Sequence, residues 1–301
     1  MLAAVAQERL TRRKLDGGRV PVEAIDECLA ISGHQRRDVD VVMLSRGTYP
    51  ARYYTHFSLG REIEHWMRDR AGRSKHKTME RELVRAGTTD GRAIFDSGQF
   101  LSDHDFSSGA TVGFYNHHLA HALPTLFHTS WNDALLYTSD GGGDNVQYSH
   151  RVFRDQKIST LDGGDECLLR PTRIDSLGLA YGYATQALGW KINQHEGKLT
   201  GLAATGDPKI YPALADHYSV DDAGRIKTDF RSYPALRRFM FELADGVARE
   251  DVAASLQKLL EEFTIRSVRR ILERNEVGNL GLSGGVFANV LLNQRLAEEL
   301  P

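Results

Sequence analysis

The sequence predicts an α/β fold built from two subdomains, and three observations lead there. The N-terminal part reads strand, helix, strand. These are "LAAVAQERL" (Leu2–Leu10), "VPVEAIDECLAISG" between Pro21 and Gly33, and "VDVVMLS" (Val39–Ser45). The second half carries two strand–glycine-turn units, Leu135–Asp144 and Leu280–Asn289. A chain of 301 residues can also bury a substantial core, and that length suits two subdomains better than one.

Each element follows from local pattern. Leu2–Leu10 is expected as a strand ending in a polar turn, the next segment as a helix with Gly33 as its stop, and Val39–Ser45 as a short buried strand. Residues 46–110, rich in Arg, His, Asp, Gly and aromatics with weak periodicity, read as an insertion of loops and short helices that lines a binding cleft. "ATVGFYNHH" returns to strand character, and "HLAHALPTLFHTS" reads as a helix locally disturbed by Pro124.

"DALLYTSDGGGD" is an apolar strand running into a glycine turn. With the near-alternating "VQYSHRVFRD" it forms a hairpin that opens the second subdomain, which places the division between residues 1–131 and 132–301. "SLGLAYGYATQALGW" (Ser176–Trp190) is a helix whose glycines require a close-packed neighbour. Arg249–Glu276 is the strongest helix, with Val252, Leu256, Leu259, Leu260 and Phe263 at helical spacing. "LGLSGGVFANVLLNQRLAEEL" reads strand, glycine turn, helix.

Composition narrows the functional classes. Hydrophobic residues make up 41% and charged residues 26%, and the formal net charge of −2 supplies no basic excess for a polyphosphate backbone, so nucleic acid is not an expected partner. The local run Arg9–Lys14 reads as a solvated face. Two distant cysteines, Cys28 and Cys167, form neither a disulfide framework nor a cysteine-built zinc site. The N-terminus lacks the charge order of a signal peptide, and no apolar run reaches the ~18 residues of a membrane span, so a cytoplasmic protein without membrane contact is expected.

The chemistry-bearing stretch is "FYNHHLAHALPTLFHTSWNDALLYTSDGGGD", Phe114–Asp144. On a helix, His117 and His121 stand at i and i+4 and present both imidazoles from one face to a single ion. His118 and His121 are an alternative i, i+3 pair. The zinc-protease pattern HExxH fails, because His118 occupies the position of its Glu. Oxygen ligands must come from elsewhere, and Asp140 is the nearest candidate along the chain. Spacing alone leaves two readings open: polar residues hydrogen-bonded at a strand–helix junction, or a metal site. The turns "DGGGD" and "SGGVFAN" carry the same two readings, tight structural corners, which each favours when taken alone, and places where backbone N–H groups meet phosphate. Glu196 and Lys198 in "EGKLTGLA" are either a surface pair or ligand contacts.

Seven segments together resemble the O-carbamoyltransferases that act on nodulation factors and antibiotics. They are "AAVAQERLTRRKLDGGRVPVEAIDECLAISG", "YNHHLAHALPTLF", "TSDGGGD", "SLGLAYGYATQALGW", "HEGKLTGLAATGDP", "DVAASLQKLLEE" and "LSGGVFANVLLNQRL", in the family's order. That family's main domain is similar to the tRNA threonylcarbamoyl-transfer protein and belongs to the actin/sugar-kinase/Hsp70 superfamily. The resemblance therefore implies an actin-like, ribonuclease H-like two-subdomain fold.

It further implies a divalent metal on His117, His121 and Asp140, iron(II) foremost, with zinc or manganese also suited to such ligands. ATP, with Mg, is implied at Gly141, Gly142, Gly143, Lys198, Gly284, Gly285 and Asn289. His118, next to the metal pair, is expected to remove a proton from the acceptor hydroxyl, since a free imidazole titrates at ~6.5, near neutrality. The implied reaction turns ATP and carbamoyl phosphate into carbamoyl-adenylate and passes the carbamoyl group to a hydroxyl of a small-molecule or sugar acceptor. In full-length relatives a C-terminal domain forms the adenylate. The chain begins after the family's first strand and ends before a further acidic ligand and that domain, which implies a fold incomplete at both ends. Thr200 stands where the family usually has Met. Two rival readings are tRNA threonylcarbamoyl transfer and a non-catalytic nucleotide-binding fragment.

Overall fold

The computed structural model describes residues 3–14, 16, 20–55, 63, 67 and 76–300, and it is mixed α/β. Much of the insertion expected over 46–110 lies outside the described residues, notably 56–62, 64–66 and 68–75. The chain divides into two compact units, Met1–His117 and His118–Pro301. The division falls in the first turn of a helix, so His117 closes one unit while opening the helix that belongs to the other.

In the first unit, helix α1 (Val22–Ser32) stops at Gly33, whose left-handed conformation (φ 74°) lets its N–H reach back to Leu29 and Ala30 carbonyls. Strands β1 (Val41–Ser45) and β2 (Thr111–Tyr115) pair in parallel, with Val41 opposite Thr111. Two expectations fail here. The Leu2–Leu10 segment contains no strand among its described residues: Gln7–Thr11 is a short helix, and Gln7 Oε1 accepts from the Ala24 N–H at 3.0 Å, tying that turn to α1. β1 is also not fully buried, because alternate side chains face opposite ways and Val41 and Met43 are 56% and 53% exposed. The described part of 46–110 contains a short antiparallel pair, Thr48–Pro50 with His76–Thr78, and helices Met79–Ala86 and Ser97–Asp103.

The second unit is a layered α/β body. Its longer helices are α2 (His117–Phe127), α3 (Leu177–Ala187), α4 (Glu196–Ala203), α5 (Tyr233–Ala244), α6 (Arg249–Arg274) and α7 (Val290–Glu299), with a short helical turn at Tyr211–Ala215. Its main sheet holds β3 (Asp133–Gly143), β4 (Val146–Arg154), β5 (Lys157–Asp162) and β6 (Leu280–Ser283) in the order β6-β3-β4-β5, with β6 parallel to β3 and the other pairs antiparallel. β3 is central and must bury both faces. Leu135 and Tyr137 join the larger core with Leu256, Leu260 and Phe263 of α6, while Ala134 and Leu136 join Ala122 of α2 and Phe153. Helices thus cover both faces. α6, 26 residues long, owes its apolar stripe to the larger core.

The glycine turn after β3 also differs from expectation. The strand continues through Gly143, which pairs with Val146, and the two-residue turn is Asp144–Asn145. Both have positive φ (53° and 59°), as a type I′ hairpin requires, and Asn145 is held by donating to the Cys167 carbonyl at 2.7 Å. The extra residues between Ser139 and Gly143 form an irregularity in the ladder instead. Several short-range patterns escaped the sequence reading, among them β5, α4, the hairpin Tyr218–Val220 with Ile226–Thr228, and α5.

Candidate metal and ligand site

Strand parity builds the site. Ala134 and Leu136 face α2, so Thr138 and Asp140, two and four residues further along the strand, are directed to the same side. Thr138 meets His118 near the start of α2, and Asp140 meets His121 one turn along. Asp140 Oδ2 lies 2.9 Å from His121 Nε2, and Asp140 Oδ1 accepts from the Gly141 N–H at 2.6 Å.

One turn of helix separates His117 from His121, and a ligand atom from each, with a carboxylate oxygen of Asp140, all lie within 4.8 Å of one another. All three residues are half-buried, which leaves one side of the cluster open. Two imidazoles and a carboxylate are a donor set suited to a divalent first-row metal, which would take the place of the His121–Asp140 hydrogen bond.

His118 is placed differently. Its ring has no exposure; Nδ1 sits 2.6 Å from Thr138 Oγ1 and Nε2 2.9 Å from the Val146 carbonyl. Both nitrogens are engaged inside the unit, and Thr138 Oγ1 continues to Ser149 Oγ at 2.7 Å. The geometry offers an acceptor hydroxyl neither nitrogen, so the role expected of His118 as a base is corrected to one of fastening α2 to β3 and β4.

Beside the cluster lies a cleft of about 510 Å³ that Asp140 itself helps to line. Of the residues expected to meet nucleotide, Gly141, Gly285 and Asn289 line it. Gly142, Gly143, Gly284 and Lys198 are not brought to it. Gly143 is paired in the hairpin, Gly142 (φ 140°) packs toward Gln147, and Lys198 is exposed on α4. Gly284 adopts φ 98°, and its bare Cα abuts the Ser139 carbonyl, which makes it a close-approach corner between β6 and β3.

Asn289 is more than a lining residue. Its Oδ1 caps α7 by accepting from Leu292 N–H at 3.0 Å. It also forms a reciprocal amide pair with Gln257 of α6: Asn289 Nδ2 donates to Gln257 Oε1 at 2.8 Å, and Gln257 Nε2 donates back to Asn289 Oδ1 at 3.1 Å. The Tyr181 hydroxyl donates to the same Gln257 oxygen at 3.0 Å and lies 2.9 Å from Thr200 Oγ1. Burial holds the Tyr181 phenol well above its ordinary pKa, so it stays protonated as a donor. Thr200 thus puts a hydroxyl into the floor of the cleft. Glu196, at the start of α4, lines the cleft and accepts from the Asn193 N–H at 2.5 Å.

Sequence reasoning missed Tyr181 and Gln257, and it did not connect Gly178, whose helix was expected to need a close-packed neighbour, with the site. The first two read as ordinary members of helical stripes, since only the fold sets α3 and α6 side by side. Gly178 carried a signal in its position just after the helix-capping Ser176, where a glycine is justified only by a close neighbour.

The carbamoyltransferase N-terminus family matches residues 1–301. The nodulation protein NolNO of Sinorhizobium fredii is 29% identical over 303 residues, covering 98% of this chain and 40% of that protein. NolO of Bradyrhizobium diazoefficiens is 33% identical over 188 residues, covering 60% of this chain and 33% of its own length. A tRNA N6-adenosine threonylcarbamoyltransferase of Gloeobacter violaceus is 29% identical over 153 residues, 48% of this chain and 42% of that protein, a relation that agrees with an actin-like α/β fold. The chain spans less than half the length of these relatives. With the family match running from end to end, the chain belongs to the carbamoyltransferase N-terminal family.

Proposed function

We propose that this chain is the carbamoyl-transfer domain of an ATP-dependent O-carbamoyltransferase. It would pass a carbamoyl group from carbamoyl-adenylate, made from ATP and carbamoyl phosphate, to a hydroxyl of a small-molecule or sugar acceptor. The observation that carries this reading is the His117–His121–Asp140 cluster at the edge of a cleft that Asp140 also lines. Family membership supports carbamoyl chemistry.

His117, His121 and Asp140 would hold a divalent metal, iron(II) foremost and zinc or manganese otherwise, which when bound supplies Lewis-acid polarisation of a carbonyl or phosphoryl oxygen. The chain's own residues bind and orient. Gly141 and Gly285 leave the cleft wall bare beside Asp140, so a nucleotide with its Mg can approach main chain there. Thr200 lines the cleft with its hydroxyl held by the buried Tyr181 phenol, and the Asn289–Gln257 pair ties the end of the Gly285–Ala288 corner to α6. Mutual support of this kind holds reacting groups in register, which is where much of a transfer enzyme's advantage arises.

The test is metal content and ATP binding. Purified protein is expected to carry a bound divalent metal, and the double variant His117→Ala/His121→Ala is expected not to; unchanged metal content in that variant sinks the assignment. ATP is expected to raise the melting temperature, because a ligand that binds only the folded chain stabilises it. Transfer of radiolabelled carbamoyl from carbamoyl phosphate to a hydroxyl acceptor, dependent on ATP, completes the test.

A second reading, threonylcarbamoyl transfer to tRNA, draws on the similarity to the Gloeobacter violaceus protein. The net charge of −2 weighs against it. Salt-dependent tRNA binding at about 0.15 M salt would favour it.

A further inference from the structure

Gly178 is the second residue of α3, just inside the Ser176 cap, whose hydroxyl accepts from the Leu179 N–H at 3.0 Å. A methyl group at this position would stand 2.9 Å from the Asp140 carbonyl oxygen, 3.3 Å from the carbonyl carbon and 3.1 Å from Val286 Cγ2. The first two atoms are main chain of β3 and cannot swing aside as the tip of a flexible side chain can. On the other flank, a methyl at Gly285 would stand 3.0 Å from Asp140 Oδ1. Gly197 and Gly201 of α4, by contrast, face open space. A helical glycine costs about 1 kcal/mol relative to alanine, so one kept in the first turn of α3 needs a compensating contact, and here that contact is Asp140.

We propose that Gly178 is a positioning residue for Asp140: its missing side chain lets the first turn of α3 lie against the Asp140 main chain and sets the carboxylate within reach of His117 and His121. This rests on the reading of those three residues as a metal-ligand set. The physical reason is leverage. Asp140 has a short side chain, so a displacement of its main chain carries the carboxylate with it, away from His121 and the Gly141 N–H that it meets here. A folded body absorbs a few tenths of an ångström at one strand end, whereas metal–ligand distances tolerate only about ±0.2 Å. The metal site is therefore the more sensitive reporter.

The experiment compares Gly178→Ala with Gly201→Ala, the same chemical change in two helices with different neighbours. Co(II) alone is the probe, since its visible absorption depends on ligand number and geometry. Gly178→Ala is expected to keep its circular dichroism while its Co(II) dissociation constant rises about tenfold or more, the range seen for residues that orient metal ligands, and its absorption bands shift. Gly201→Ala is expected to match the unsubstituted chain. An unchanged constant and spectrum in Gly178→Ala overturns the proposal, and so does an equal loss in Gly201→Ala. If Gly178→Ala does not fold, Gly178→Ala/Val286→Ala removes the Val286 contact and leaves the Asp140 one. Weakened Co(II) binding in that folded double variant supports the proposal, and binding like that of the parent overturns it. Failure of the unsubstituted chain to bind Co(II) at all instead overturns the metal reading on which the inference stands.

Discussion

Asp140 Oδ2 and His121 Nε2 stand 2.9 Å apart, the end of a central strand against the second turn of the helix that covers it. Neither element reaches the other by sequence proximity; strand parity and the packing of Ala122 on Ala134 and Leu136 bring them together. Asp140→Asn keeps the shape and removes the charge. It is expected to weaken divalent-metal binding by at least about tenfold while the fold is retained. Stripping the metal with a chelator should lower the melting temperature of the parent and leave that of Asp140→Asn nearly unchanged, because a ligand held at 100 times its dissociation constant adds about 2.7 kcal/mol. Scanning calorimetry with and without chelator checks both.

His118 separates fold from chemistry in the same helix turn. Its ring is enclosed and bonded at both nitrogens, so His118→Ala leaves Thr138 and the Val146 carbonyl short of a partner and opens a cavity. A loss of about 2–4 kcal/mol is expected from these two effects. Metal content per folded molecule should nevertheless stay at the parent value, unlike that of His117→Ala or His121→Ala. Urea unfolding together with elemental analysis distinguishes the three histidines.

The Asn289–Gln257 pair joins the corner after β6 to α6 and should behave as a unit. Asn289→Ala removes the α7 cap and takes one partner from each end of the Gln257 amide, which keeps Glu261 and Tyr181, for a combined loss of about 1–3 kcal/mol. Gln257→Leu alone takes one partner from each end of Asn289, which keeps its cap to Leu292. Pairing the two changes should cost less than the sum of the singles, with a coupling of roughly 0.5–3 kcal/mol in a double-mutant cycle. Strict additivity would show that the reciprocal amide bonds contribute nothing to stability.

Much of this was legible in the sequence because its signals are local. Helical spacing placed α2 and α6, and the stopping Gly33 marked the end of α1. The i, i+4 spacing of His117 and His121 put both on one helix face, and the resemblance named Asp140 as their partner; the cluster shows that the three do meet. What escaped depends on partners far along the chain. The "DGGGD" glycines look like a turn, yet the hairpin turns on Asp144 and Asn145, because only residues with φ near +55° match the twist of the strands on either side. Gln257 is indistinguishable from any polar member of a helix until Asn289, 32 residues later, folds against it. Val39–Ser45 looks buried because it is β-branched, but burial is decided by what covers it, and Val41 and Met43 are exposed.

His150 supplies a pH signature independent of the metal cluster. It lies on β4, fully buried between Tyr137 and Tyr148, with ring centroids 4.8 and 5.3 Å away, and neither ring nitrogen has a hydrogen-bond partner. Burial pushes its pKa down from the ordinary 6.5 to about 4, only partly opposed by the nearby Asp162 carboxylate. The sign follows from proton counting. Between those two values the unfolded chain holds a proton on His150 that the folded chain refuses, so stability is full above pH 6.5 and falls as pH drops toward 4. The loss attributable to this one ring approaches about 3 kcal/mol at most. His150→Phe keeps an aromatic ring in the stack and removes the titration. It should be at least as stable as the parent near neutral pH, since two unpaired buried nitrogens are gone. Its stability curve should be flatter than that of the parent across the same window, as measured by urea unfolding at a series of pH values. Parallel curves for the two proteins would show that His150 takes up its proton without unfolding the core.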